Sequence, residues 1–406
     1  MKAGSWLLRM CVERPCWLCV KPILLSGATL VSCLWLWSSH AEERLWVPAK
    51  INGKPARLGF DTGASDVILF RAGAQRLNLK FTAPQTNAVL APGQVPLGET
   101  EECTLKLWGM KVRTRFGVVD LPDYLHPTNF DGLIGWGPIS RNIVQIDAVE
   151  LKITFLRDLP KDVSNWTKLQ LRADSPILLL ETSSGDKTPQ ILEVDTGDDR
   201  GIALAPQKWA EWKTAHPLRP QTLTAFFTPG SGIVVAEEAW AEQLLLGPLI
   251  LTDVPVSEAA PTQAAFGSPQ FVATLGLAAL KRLDFVVDGR HGMAYLRCKM
   301  TPPSAYEHNR AGVVFVPADS HGPRLVARVL ENSPAYEAGV RNEDILLSID
   351  GSDYSHLRAG ADLHPNQAFH ERPAGSKVTL TLKRDSQTFQ ATVTLRQILG
   401  PEHTKL

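Results

Sequence analysis

The chain has 406 residues, 44% of them hydrophobic and 21% charged, with 42 Lys and Arg against 42 Asp and Glu. That length and composition fit a multidomain soluble protein of two or three domains. A balanced charge with no long basic or acidic run excludes nucleic acid and anionic surfaces as partners drawn by electrostatics.

The first element is a leader. Lys2, Arg9, Arg14 and Lys21 supply positive charge ahead of the apolar stretch Ile23 to Trp37, and Ser39-His40-Ala41 is a small-x-small cleavage site before Glu42-Glu43. The stretch is short for spanning a membrane. Residues 1–41 therefore read as an export signal, which puts the mature chain in a bacterial periplasm or cell envelope. Two rivals stay open: an uncleaved anchor, and lipidation at Cys33, since Leu30-Val31-Ser32-Cys33 resembles a bacterial lipobox although Leu34 to Trp37 is apolar. Any membrane contact comes through this segment. Four of the six cysteines lie in it, which leaves Cys103 and Cys298, expected as buried thiols rather than a bridge.

Next comes a series of landmarks that occurs twice. The run Ala56 to Phe60 leads into Asp61-Thr62-Gly63, and Ile191 to Val194 leads into Asp195-Thr196-Gly197, 134 positions on (61 to 195). A Pro92-Gly93 turn beside Val89 and Val95 returns as Pro229-Gly230 beside Phe226, Phe227, Ile233 and Val234, 137 positions on (92 to 229). Leu133-Ile134-Gly135 returns as Thr274-Leu275-Gly276, 141 positions on (133 to 274), and Ile139, Arg141 and Asp147 keep register with Leu280, Arg282 and Asp288. One such triplet alone is an ordinary turn between strands. Two, in the same order of elements, indicate an internal duplication over residues 44–300.

This order resembles the pepsin and retropepsin superfamily of aspartic peptidases, in the form where two homologous β lobes are fused in one chain. The resemblance implies a mainly β, two-lobed aspartic protease barrel fold with lobes at 42–160 and 161–302. It implies a catalytic dyad of Asp61 and Asp195, supported in their turns by Thr62, Gly63, Thr196 and Gly197. Flap hairpins would carry Pro92, Gly93, Pro229 and Gly230. The partner would be an extended polypeptide, and no metal or cofactor is called for. Two facing carboxyls cannot both ionise, so they share a proton and titrate as a unit. The ionised member takes a proton from water, which attacks a peptide carbonyl, and the protonated member donates to the developing oxyanion. The second copy departs from the pattern at Asp198, where the family has Ser, Thr or Ala, and neither hairpin carries the Tyr of pepsin flaps. A third carboxylate there repels an ionised Asp195 unless it turns outward onto Arg200.

The last element starts near Ala311. Glu331-Asn332-Ser333-Pro334-Ala335 to Ala338-Gly339-Val340, then Asp344 to Gly351, then Gly375 to Leu382, resemble the helix, strand and late strand of bacterial PDZ domains. The resemblance implies a small β-barrel with two helices over 303–400, reading exposed strands or a peptide C-terminus by β-augmentation in a groove at Gly312, Val313, Val314 and Phe315. Val314 stands where a second Gly is common, and Pro317 has no N–H to give a peptide. A packing or dimerising module is the alternative. His-Glu-x-x-His, Gly-x-Ser-x-Gly and phosphate-loop patterns are absent from the sequence.

The reading that unites these elements is an exported aspartic endopeptidase followed by a PDZ domain. Its rivals are a catalytically inactive protease-like scaffold that binds peptides in the envelope, and an enzyme that pairs two copies of the first lobe across a dimer.

Overall fold

The computed structural model describes residues 44–82, 96–120, 130–173, 175–182, 189–228, 232–260, 270–299, 306–318, 324–355 and 369–400. The expected leader and both Pro-Gly tips, at Pro92-Gly93 and Pro229-Gly230, lie outside the described residues.

Strands open the fold, because side chains alternate in and out. In β1 (Trp46–Ile51) Val47, Ala49 and Ile51 are buried while Trp46, Pro48 and Lys50 face solvent. It is followed by β2 (Lys54–Phe60), β3 (Val67–Phe70), helix α1 (Arg71–Arg76), β4 (Phe81–Thr82), β5 (Pro96–Thr100), β6 (Cys103–Leu107), β7 (Met110–Thr114), β8 (Gly117–Val119) and β9 (Gly132–Ile134). These strands form one sheet in the order β4-β5-β8-β3-β9-β2-β1-β6-β7.

A second sheet is built from β10 (Ile143–Asp147), β11 (Lys152–Leu156), β12 (Thr167–Leu171), β13 (Leu179–Thr182), β14 (Gln190–Val194), β15 (Ile202–Leu204), β16 (Gln221–Thr228), β17 (Gly232–Leu246), β18 (Leu249–Glu258), β19 (Phe271–Leu275), β20 (Leu283–Asp288) and β21 (Met293–Cys298). Helix α2 (Pro206–Ala215) and the single turn α3 (Leu277–Leu280) sit between its strands. The order is β11-β10-β20-β21-β12-β13-β14-β19-β15-β18-β17-β16.

Strand for strand, the two sheets share one plan. In the first, β1 runs antiparallel to β2, β2 parallel to β9, β9 antiparallel to β3, and β3 parallel to β8. In the second, β13, β14, β19, β15 and β18 repeat those four relations in the same sequence. Each Asp-bearing turn therefore follows a strand paired in parallel with the apolar strand that ends at Gly135 or Gly276. The Asp61 N–H donates to Ile134 O and the Asp195 N–H to Leu275 O, each at 3.0 Å.

The two sheets enclose one apolar cluster that takes in Phe60, Ile134 and Trp136 from the first and Leu192, Val194 and Leu275 from the second. The expected lobe boundary at residue 160 falls inside the second sheet, because β10 pairs with β20 from Ile143↔Asp288 to Ile146↔Phe285. Residues 143–156, assigned to the first lobe from the sequence, thus belong by hydrogen bonding to the second. Cys103 is a buried free thiol as expected, whereas Cys298 is free and exposed at the end of β21.

The C-terminal module holds β22 (Val313–Pro317), β23 (Leu325–Val329), the short helix α4 (Pro334–Glu337), β24 (Ile345–Ile349), β25 (Ser352–Asp353), β26 (Lys377–Arg384) and β27 (Gln387–Thr394). Ser333 caps α4, accepting the Tyr336 N–H at 3.2 Å with Pro334 at the first helical position. The module has its own core, from Val313 and Leu325 to Val378 and Val393, and this core also takes in Leu223 and Ala225 of β16.

Candidate active site

The two Asp-Thr-Gly turns meet face to face. The Thr62 N–H donates to Thr196 Oγ1 and the Thr196 N–H to Thr62 Oγ1, both at 3.0 Å. Each hydroxyl then donates onward across the interface, Thr62 Oγ1 to Val194 O at 2.6 Å and Thr196 Oγ1 to Phe60 O at 2.8 Å. Both threonines are buried, so this reciprocal set carries no competition from water and each bond is expensive to leave unmade.

The glycines are required by the closeness of the turns. A Cβ on Gly63 would lie 2.8 Å from Asp195 Cγ, and one on Gly197 would lie 2.7 Å from Asp61 Cγ. Each aspartate thus sits over the partner turn's glycine, where any side chain would displace it.

Asp61 Oδ1 accepts the N–H groups of Gly63 at 2.9 Å and Ala64 at 3.1 Å, and Asp195 Oδ1 accepts that of Gly197 at 2.8 Å. Each carboxyl lies over the opposite turn's glycine, close enough to act on the other's titration, and two carboxyls held this way share one proton. Among the described residues no N–H or O–H donor reaches Asp195 Oδ2, which leaves that oxygen open to protonation.

Burial sets the titration. Asp61 is 2% exposed and Asp195 0%. Desolvation pushes Asp61 up to about 6, held back by the hydrogen bond from Asp195, by the two N–H donors and by the Arg44 charge. Arg44 Nη1 donates to Gly197 O at 3.1 Å, which ties this cation to the opposite turn. Asp195 is driven well above the usual carboxylate range, first by burial, then by the charges of Asp61, Glu193 and Asp198. The environments differ: two N–H donors and the Arg44 charge favour the ionised form on Asp61, whereas one donor and the charges of neighbouring carboxyls favour the neutral form on Asp195.

Asp198 has turned onto Arg200. The Arg200 Nη2 lies 3.0 Å from Asp198 Oδ2, Nε lies 3.1 Å from Oδ1, and the Arg200 backbone N–H also donates to Oδ1 at 3.0 Å. Both side chains are buried. Paired in this way, Asp198 raises Asp195 less than burial, Asp61 or Glu193 does.

Glu193 is the site residue that the sequence reading passed over. It stands two positions before Asp195 in a run read as apolar, so the period of a strand puts it on the same face as the dyad. In register it faces Thr274, whose hydroxyl donates to Glu193 Oε2 at 2.8 Å, while Oε1 has no partner among the described residues. Burial first, and the Asp61 and Asp198 charges next, raise it to about 8. A charged residue interrupting four core positions was the signal available in the sequence.

Among the described residues no cluster of His, Cys, Asp or Glu suits a metal ion. The structure thus brings together Asp61, Thr62, Gly63, Asp195, Thr196 and Gly197. Gly312, Val313, Val314 and Phe315 lie apart from them in the C-terminal module.

Residues 47–137 match the family model of aspartyl proteases, and residues 310–395 match that of PDZ domains. The first match ends before Asp195, so the second half of the site stands on its geometry. Among solved structures the chain is similar to the crystal structure of the retroviral protease-like domain of Ddi1 from Leishmania major. The identity is 21%, over 29% of this chain and 96% of that one, with a TM-score of 0.22, too low to carry an argument. No curated protein matches the chain. Fold, matched segments and site define a mainly β chain with an aspartyl protease-like part and a PDZ-like domain.

Thr196→Val removes a hydroxyl that takes part in two cross-turn bonds and leaves the Thr62 N–H and Phe60 O buried without partners. Urea unfolding is expected to show a loss of about 2 to 4 kcal/mol, with an unchanged midpoint contradicting the assignment.

Glu193, with its pKa raised from 4.5 to about 8, binds its proton more tightly in the folded chain than in the unfolded one. Its contribution to stability is full below about pH 4.5 and falls as pH rises towards 8. Glu238, raised from 4.5 to about 7 by burial, acts in the same direction. Glu193→Gln is expected to narrow the difference in melting temperature between pH 5 and pH 8. An equal difference in both proteins would contradict this.

Proposed function

We propose that the chain is an aspartic endopeptidase that hydrolyses extended polypeptide with water activated by Asp61 and Asp195, the PDZ-like domain serving regulation. The observation that carries this reading is the pair of buried carboxyls, each seated over the opposite turn's glycine between reciprocally bonded threonines. Asp61, the member that ionises first, takes a proton from water as its oxygen attacks the peptide carbonyl carbon. Asp195 gives its proton to the carbonyl oxygen. The proton held by Asp61 then passes to the amine as the C–N bond breaks, Asp195 takes back a proton from the gem-diol hydroxyl as the C=O bond re-forms, and the pair returns to one shared proton.

The shared topology of the two sheets supports an origin by internal duplication. The leader is read as an export signal, so the mature chain in a bacterial envelope would begin near Glu42. The near-complete burial of both carboxyls favours a second reading, an inactive shell that holds peptides without cutting them.

Asp61→Asn and Asp195→Asn are each expected to abolish cleavage of an unfolded protein while leaving the circular dichroism spectrum unchanged. Activity retained in Asp195→Asn contradicts the single-chain dyad and favours pairing of first lobes between two chains. A wild-type protein that binds the substrate without cleaving it favours the inactive shell.

The acid limb of kcat/KM is expected near pH 6, where Asp61 loses its proton. The alkaline limb should lie well above the ordinary carboxylate range, where Asp195 loses its own. An acid limb at pH 4 or below would contradict the assignment of Asp61 as base.

A further inference from the structure

β16 is the edge strand of the second sheet, and an unpaired edge must be covered or it invites pairing with other chains. The segment that enters the C-terminal module wraps it. Tyr306 OH donates to Glu238 Oε1 at 2.6 Å on the neighbouring strand β17. Three residues on, Asn309 O accepts from Thr222 Oγ1 at 2.6 Å and Asn309 Nδ2 donates to Leu223 O at 3.0 Å, both on β16.

The same Asn309 side chain fills the head of the PDZ-like strand. Its Oδ1 accepts the N–H groups of Ala311 and Gly312, each at 3.0 Å, and its Nδ2 also donates to Val313 O at 3.0 Å. Loop N–H groups at this place are the donors that capture of a peptide carboxylate requires, and two of them are already used. Beyond the loop, Val313, Val314, Phe315 and Val316 are all at most 6% exposed. Leu223 and Ala225 are buried in the same cluster, and Ile233 and Val235 from the opposing strand of the hairpin pack against it.

The other face of the hairpin reaches the second catalytic turn. Phe226 alternates with Ala225 and carries the Arg200 guanidinium 3.7 Å above its ring. Arg200 holds Asp198, and its Nη1 lies 3.3 Å from Ser257 Oγ, the residue in register with Glu238. One hairpin is thus pressed between the PDZ-like strand and the Asp195 turn.

The geometry points to a PDZ-like domain that works in cis: its occupant is this chain's own β16–β17 hairpin, clamped through Asn309 against the second catalytic turn, in place of a peptide C-terminus. The expectation of carboxylate capture at Gly312 to Phe315 gives way to this one. The clamp does not depend on the dyad being active.

Two measurements on the full-length chain test it. Thr222→Val keeps the shape of the side chain and deletes only the bond to Asn309 O, and Asn309→Asp keeps the oxygen for the Ala311 and Gly312 N–H groups and deletes the donor to Leu223 O and Val313 O. Hydrogen–deuterium exchange of residues 221–228 and 232–246 is expected to speed up by about tenfold in either variant, the effect of losing one buried hydrogen bond on a local opening equilibrium. Exchange in β1 and β2 should stay unchanged. Unchanged hairpin exchange in both variants would overturn the clamp. In the second measurement, fluorescein-labelled peptides with randomised C-terminal residues are offered to the wild type as free acids and as amides. Equal retention of the two pools supports the cis occupant, and preferential retention of the free acids would overturn it in favour of carboxylate capture.

Discussion

Everything at the centre of this molecule follows from placing two carboxyl groups together out of water. Burial alone drives both pKa values upward, and the proximity of the pair then forbids double ionisation. The fold keeps them there with the crossed threonine bonds. The glycines beside them are a consequence: at 2.7 and 2.8 Å from the opposing Cγ atoms, no Cβ fits.

From that pair the electrostatics spread through the second sheet. Glu193, Asp198 and Glu238 are all buried carboxyls, and they meet the loss of water in two ways. Asp198 is paired with a bidentate arginine, while Glu193 and Glu238 are raised towards the neutral form and accept hydroxyl donors from Thr274 and Tyr306. The first sheet has a lighter load, with Asp131 the buried carboxyl beside Asp61, and it is bound by the partly exposed Arg76. This asymmetry, together with the second N–H donor and the Arg44 charge at Asp61, raises Asp195 more than Asp61.

Much of this was legible in the sequence, because the constraint acts on local, repeated residues. Asp-Thr-Gly and the apolar-apolar-Gly strand each carry their geometry within three positions, and their twofold occurrence announced the shared plan of the two sheets. The capped turn Ser333-Pro334 and the strand at Asp344 to Gly351 were readable for the same reason. What escaped depends on distant pairing. Residues 143–156 look continuous with the first lobe, yet 143–146 pair with Phe285 to Asp288 and carry 152–156 with them as the next strand. Glu193 looked like one residue in an apolar strand, and only its register with Thr274 exposes its role. The tie between Asn309 and β16 joins residues 86 and 87 positions apart, which no local pattern encodes. Cys298, expected inside, sits at a strand end where the sheet no longer covers it.

The central claim is that Asp61 and Asp195 of one chain share a single proton, with Asp61 the first to lose its own. Carbon-13 labelling of the aspartate carboxyls, with assignment through the two Asp→Asn variants, reads this directly as chemical shift against pH. The account predicts that both signals move together in two steps, the lower one near pH 6 and the upper one well above the ordinary carboxylate range. Two independent transitions, each near the unperturbed aspartate value of about 4, would contradict it.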